Sequence, residues 1–371
     1  MKFLSSPILK LLITTAVLSF GLITVSAQII QPTDEQLSSL DERLETYMES
    51  NNIPGALVAI VSRGEVIHLE TYGMANVELS VPVTDDTVFE IGSISKQFVS
   101  AAVMLLVEEN KLELDDAIEN YIADIPSEWL GVTVRQLMNH TSGIPDYEEI
   151  ASYDIYGERV TPEEIIQIAH SRPMDFAPGT GWYYSNTGYF LLSMIVERVE
   201  GQPLGRVLRS RIFDPVGMTQ TRLADPEAII EHRAAGYWVN KSGELINRRP
   251  TETSSTLGAG GILSSVYDLM KWDEVLFGEE LLSADSKAQM WERTRLPNGD
   301  LTRYGFGWFL NPYNGLQRQY HSGQVAGFVA QFARFTEDEI SVIMFVNRYR
   351  VNTGPVWQDV LHTYMPSLGE L

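Results

Sequence analysis

The chain predicts an α+β fold: an antiparallel β-sheet flanked by helices and completed by both termini, with a mainly helical subdomain inserted between. Three observations carry that expectation. β-Branched, strand-like segments lie near both ends, helical periodicity fills the middle, and no repeat or low-complexity linker interrupts the chain. With 371 residues there is room for two lobes around a groove.

Residues 1–27 read as a signal peptide. Lys2 and Lys10 precede or enter an apolar stretch from Leu11 to Val25, no acid interrupts it, and Val25-Ser26-Ala27 is a small-x-small cleavage signature. The apolar core is too short for a stable membrane anchor, so a periplasmic or secreted location is expected. Residues 28–371 are then one catalytic domain, with 28–92 and 256–371 as an α/β lobe and 93–255 as a helical lobe. Leu37, Leu40, Leu44 and Met48 stand at helical spacing from Asp34 to about Glu49. A hairpin comes next, 56–61 and 66–72, turned at Arg63-Gly64. From Ser93 to about Leu223 the pattern is largely helical. Strands are expected at 305–310, 318–321, 325–335 and 340–347, then a closing helix from about Pro355 to Tyr364.

Charge narrows the partners. The sequence has 27 basic and 49 acidic residues; removing the signal leaves 25 − 49 = −24. So acidic a surface argues against nucleic acid and anionic membranes, and for a small-molecule or peptide substrate. The acids are scattered, and no metal site or cofactor is expected. There is no cysteine, hence no disulfide to form in an oxidising compartment. No H-E-x-x-H or G-x-S-x-G occurs, and Gly258-Ala259-Gly260-Gly261 reads as a tight turn rather than a nucleotide loop.

Chemistry concentrates in three motifs. Ser93-Ile94-Ser95-Lys96 opens the apolar run Gln97 to Val107 and reads as the first turn of a buried helix. Positions i and i+3 share a face, so Lys96 reaches the Ser93 hydroxyl; a desolvated lysine can take the serine proton. Alone, S-x-x-K recurs by chance, with Ser93 a plain helix cap and Lys96 snorkelling to solvent. The second motif is Tyr184-Ser185-Asn186, after the Pro178-Gly179 turn and before a helical restart. A phenol there can move protons, and an amide can orient the lysine. Its aromatic neighbours Trp182, Tyr183 and Tyr189 read as packing. The third is His321-Ser322-Gly323 on a strand, where Gly323 would let substrate backbone lie against the edge.

Together these resemble the serine β-lactamase and D,D-peptidase superfamily, most closely its class C-like, S12-type branch. The likeness extends through Val134 to Ile144, Ile212 to Met218, Gly258 to Ser265 and Tyr304 to Trp308. It implies Ser93 as acylated nucleophile, Lys96 as its proton partner, Tyr184 as general base and Asn186 as positioner of substrate and lysine. The oxyanion hole would be the backbone N–H groups of Ser93 and Gln324. Asn347 matches a contact to the acidic end of a β-lactam, and Arg348 or Arg350 would add a guanidinium. No metal or cofactor is implied.

One departure stands out. Efficient β-lactamases of this family carry Lys-Thr-Gly where this chain has His321-Ser322-Gly323, a triplet more like that of family esterases, D-aminopeptidases and certain carboxypeptidases. A histidine near its ordinary pKa would tie substrate binding to pH. Asp146, Tyr147 and Tyr153 form the expected lip, mostly as loop packing, and His140 is expected to bond backbone. The expectation is a secreted serine hydrolase acting on β-lactams, D-amino-acid peptides or small esters. A carboxylesterase and a catalytically silent cell-wall binding protein are the alternatives. Oligomeric state is left open.

Overall fold

A computed structural model describes residues 30–366; the signal-peptide expectation for 1–27 lies outside the described residues. Helix α1 (Asp34–Ser50) starts on a Thr33–Gln36 capping box and buries Leu40, Leu44 and Met48. Strands β1 (Gly55–Ser62) and β2 (Glu65–Asn76) form the expected hairpin, its turn made by Arg63 and Gly64 at positive φ. The short strands β3 (Val81–Pro82) and β4 (Phe89–Glu90) lead into helix α2 (Ser95–Glu108).

Helices dominate the middle of the chain: α3 (Val134–Met138), α4 (Tyr147–Ala151), α5 (Pro162–His170), α6 (Asn186–Glu200), α7 (Leu204–Leu208) and α8 (Asp214–Val216). The lobe expected to be mainly helical, 93–255, also yields small strands, β5 (Arg222–Leu223), β6 (Tyr237–Val239) and β7 (Leu245–Asn247). Then come α9 (Thr253–Gly260), β8 (Ile262–Ser264), α10 (Val266–Val275) and α11 (Ala284–Met290). The chain closes with β9 (Gln319–Val325), β10 (Phe328–Phe335), β11 (Ile340–Val346) and α12 (Gly354–Tyr364).

The main sheet is antiparallel with order β3-β2-β1-β11-β10-β9, so β1 from the N-terminal end pairs with β11 from the C-terminal end. One face packs on α1 and α12 through Leu44, Val342 and Trp357; the other meets α2 and the central helices through Phe98, Phe332 and Phe345. β1 and β11 are covered on both faces, which explains their nearly unbroken apolar runs.

Two strand expectations change. Residues 325–335 are not one strand: the chain reverses at Ala326-Gly327, with Gly327 at φ 86°, making β9 and β10 a hairpin. Residues 305–310 form isolated bridges instead of a strand, one of them pairing Phe309 with Tyr320 on the outside of β9.

Candidate active site

Ser93 stands in a single 3-10 turn, Gly92–Ile94, immediately before α2, and its side chain is half-buried facing a cleft of about 420 Å³. Lys96, one turn on and fully buried, donates to Ser93 Oγ (3.1 Å), Asn186 Oδ1 (2.7 Å) and the Ala259 carbonyl (2.5 Å). Removal from water disfavours its ammonium form and lowers its pKa to about 7, against the opposing pull of Glu148 and Asp146. Gly258–Gly261, expected as a tight turn, is the last turn of α9 and its cap, and its backbone supplies a lysine acceptor. Leu257, at φ 36°, kinks α9 just before that turn.

Asn186 begins α6. Its Oδ1 faces Lys96 and its Nδ2 donates to Asp146 Oδ2 (2.9 Å), which fixes the amide's orientation. Asp146, expected as lip packing, is buried and also caps α4. Glu148 lies beside it, and burial raises its carboxyl pKa to about 8.

The Tyr184 ring reaches the cleft, but its hydroxyl is sealed from solvent and has no formed hydrogen bond among the described residues. Burial drives its pKa well above 10, only partly offset by the nearby Ser93 hydroxyl. A phenol so placed is neutral, which sits poorly with the general-base role the resemblance implies. His140, at φ 61°, accepts the Ser185 N–H and lies tilted against Tyr184 at 4.3 Å between ring centres.

His321 is buried. Its Nδ1 lies 2.7 Å from the Ser322 carbonyl oxygen, which can only accept, so Nδ1 carries the proton. Its Nε2 then accepts from the Tyr304 hydroxyl at 2.8 Å. Burial, then the Lys96 charge, lower its pKa to about 3. The expectation that His321 titrates with substrate binding near neutrality is corrected: it is a neutral ring held between two partners.

β9 is the edge strand of the sheet. Tyr320 exchanges both backbone hydrogen bonds with Phe309 on its outer side, so alternation directs the N–H and C=O of Ser322 and Gln324 outward too. Gly92 and Gly323 let β9 cross the Ser93 turn. A Cβ on Gly92, at φ 53°, would sit 2.6 Å from Gln324 N; one on Gly323 would sit 1.8 Å from the Ile91 carbonyl oxygen and 3.1 Å from Ser93 N. The Ser93 and Gln324 amides are thereby neighbours. Gly323 clears space for the protein's own backbone, not for the substrate as expected.

The carboxylate handle expected after the last strand is also corrected. Asn347 is fully buried, its Oδ1 accepting the Gly55 N–H (2.8 Å) and its Nδ2 donating to the Met74 carbonyl (2.9 Å). Arg348 bridges to Tyr237 through backbone, and Arg350 lies against Tyr349 and Trp238. None of the three lines the cleft. Trp182 and Tyr183 do, although read as packing, and so do Phe309 and Arg303, whose guanidinium lies 5.1 Å over Trp182. Nothing in the residue pattern flagged Arg303.

This fold, with a half-buried serine at the mouth of a cleft, is that of a class of serine hydrolases. The beta-lactamase family profile matches residues 40–357, and the chain belongs to that family. It is 31% identical over 327 residues to penicillin-binding protein 4* of Bacillus subtilis (strain 168), covering 83% of this chain and 71% of that protein. It is 28% identical to the D-aminopeptidase of Brucella anthropi over 84% of this chain and 59% of that protein. The solved D-amino acid amidase of Ochrobactrum anthropi SV3, complexed with L-phenylalanine, superposes with a TM-score of 0.77 at 26% identity, over 90% of this chain and all of that one. The octameric penicillin-binding protein homologue from Pyrococcus abyssi matches with a TM-score of 0.75 at 29% identity, over 89% and 77%. Among the described residues no helix is long and apolar enough to cross a membrane.

Proposed function

We propose that the protein is exported and hydrolyses amide bonds in short D-amino-acid amides or peptides through an acyl-Ser93 intermediate. The observation that carries the reaction is the contact of Ser93 Oγ with a buried Lys96, beside the adjoining amides of Ser93 and Gln324. With a pKa of about 7, Lys96 is substantially unprotonated at neutral pH and can take the Ser93 proton as Oγ attacks the carbonyl carbon. The developing oxyanion receives the two N–H donors. The C–N bond then breaks as the leaving amine takes the Tyr184 phenol proton, and the Lys96 ammonium restores it. Water repeats these steps on the acyl-enzyme in reverse.

Substrate class is drawn from two facts. The D-aminopeptidase and D-amino acid amidase relatives act on D-configured substrates by name. His321 is neutral, so the site lacks the cation that efficient β-lactamases of the family place there. A second reading, carboxylesterase, is favoured by the aromatic wall of Trp182, Tyr183 and Phe309.

The test is hydrolysis of D- and L-alanine p-nitroanilides, p-nitrophenyl butyrate and benzylpenicillin, with intact-mass detection of the acyl-enzyme and Ser93→Ala as control. Ser93-dependent turnover of the D-anilide over its L-isomer is expected. Turnover of the ester alone moves the assignment to an esterase, rapid clearance of penicillin to a β-lactamase. Full activity in Ser93→Ala overturns the nucleophile.

A further inference from the structure

Past Gln324, the edge of β9 runs into the Ala326-Gly327 turn, and a second cavity of about 280 Å³ opens there. Its walls carry Arg233, Arg248 and Arg249 against the single carboxyl group of Glu90. Its floor is small because two backbones cross: a Cβ on Gly236 would lie 3.0 Å from the Gly327 Cα. In a chain with 49 acidic and 27 basic residues, three guanidinium groups around one hollow is a local inversion of charge.

The three arginines are not equally committed. Arg233 Nη2 donates to the buried Glu90 carboxylate at 3.1 Å, and Thr251 donates to the other oxygen, so that pair is internal. The Arg248 guanidinium lies 4.6 Å over the Trp238 ring, which holds its plane; Asp154, 3.6 Å away, has a side chain 82% exposed. Arg249 meets Glu158 at 3.4 Å, with both side chains mostly in water. The Arg249–Glu158 pair, exposed on both sides, is weak, and a less hydrated carboxylate entering the hollow can replace it, while the half-buried Arg248 keeps its partners and adds its positive charge to the wall. A planar fork held on an indole suits bidentate contact with a carboxylate.

Position links the cavity to the reaction. Ala326, in its wall, comes two residues after Gln324, and Glu90 precedes Ser93 by three. At about 3.3 Å per extended residue, it lies roughly two residues along the edge from the oxyanion donors. We propose that this cavity is a subsite for a carboxylate carried on the acyl portion of the substrate, about two residues from the scissile bond. The inference rests on the hydrolase reading, and deepens it by naming an anionic acyl arm.

The test compares N-glutaryl-D-alanine p-nitroanilide with its neutral N-glutaramoyl counterpart at low salt, in wild type, Arg249→Gln and Arg248→Gln/Arg249→Gln. A kcat/KM ratio of roughly tenfold or more in favour of the glutaryl substrate is expected, as for a charge-assisted pair, falling towards one in the double variant and part-way in Arg249→Gln. A ratio near one in wild type, or one unchanged by the double variant, overturns the subsite. Calorimetric titration of glutarate into Ser93→Ala separates the two ideas. Binding that needs Arg248 and Arg249, with no anilide turned over, sinks the hydrolase reading and leaves an anion pocket. Turnover without preference and without glutarate binding sinks the pocket and leaves the hydrolase.

Discussion

Lys96 holds the pH dependence of the site. Burial is the larger influence on its pKa and lowers it; the Glu148 and Asp146 carboxylates oppose that. Activity that needs neutral Lys96 rises with pH through about 7, so kcat/KM is expected to climb along an acid limb centred there. Asp146→Asn removes a charge that favours the ammonium and is expected to move that limb to lower pH; Glu148, its carboxyl pKa raised to about 8, is mostly neutral there, so Glu148→Gln is expected to leave the limb nearly in place. A pH–rate profile of the three proteins checks the sign; a limb that stays fixed or moves up in Asp146→Asn refutes it. His321 behaves oppositely to its sequence expectation because its pKa is set by surroundings no motif encodes: burial, the Ser322 carbonyl and the Tyr304 hydroxyl. Nitrogen-15 NMR of the ring is expected to show it neutral from about pH 8 down to about pH 5. A ring that protonates near 6.5 would restore the pH switch.

At the level of elements, the site is a crossing of two backbones. Gly323 has no room for a side chain beside the Ile91 carbonyl, so Gly323→Ala is expected to push β9 off the Ser93 turn and separate the two amides. Loss of one oxyanion donor costs about 10²–10³ in kcat; steady-state kinetics on the folded variant reads it, and a loss under tenfold would remove Gln324 from the hole. Asn347 has the converse character. Asn347→Ala leaves the Gly55 N–H and the Met74 carbonyl buried without their side-chain partner, a cost of about 1–3 kcal/mol in stability. Urea unfolding is expected to show that loss, with KM for a carboxylate-bearing substrate unchanged. The terminal strands were legible because short apolar runs rich in β-branched residues, bounded by turn residues, mark strands buried on both faces. The Ala326-Gly327 reversal was hidden because its flanks, Val325 and Phe328, fit a continuous strand as well as a hairpin.

Across the whole molecule, the buried histidines set an acid limit. His140 and His321 stay neutral in the fold, with pKa values lowered from 6.5, His321 to about 3, first by burial. Unfolding exposes both rings to water, where they take up protons below about 6.5. The unfolded state then binds more protons, so stability falls as pH drops below 6.5 and, for His321, keeps falling to about 3. Thermal unfolding from about pH 7.5 to about pH 4.5 is expected to show a declining Tm, with a shallower decline in His321→Gln; parallel curves would exclude this origin.

Sequence alone determined the fold class and singled out the serine, lysine, tyrosine and asparagine now found together, because composition and spacing are local properties: i to i+3 in Ser93–Lys96, short β-branched apolar runs in β1 and β11. It named Ser93 and Gln324 as amide donors only through resemblance. The tertiary structure decided the protonation of Lys96 and His321, the Asp146–Asn186–Lys96 chain, the place of Arg303 and the internal burial of Asn347. Each depends on which distant segments exclude water from a group or complete its hydrogen bonds, and that information exists only once residues far apart in the chain are packed together.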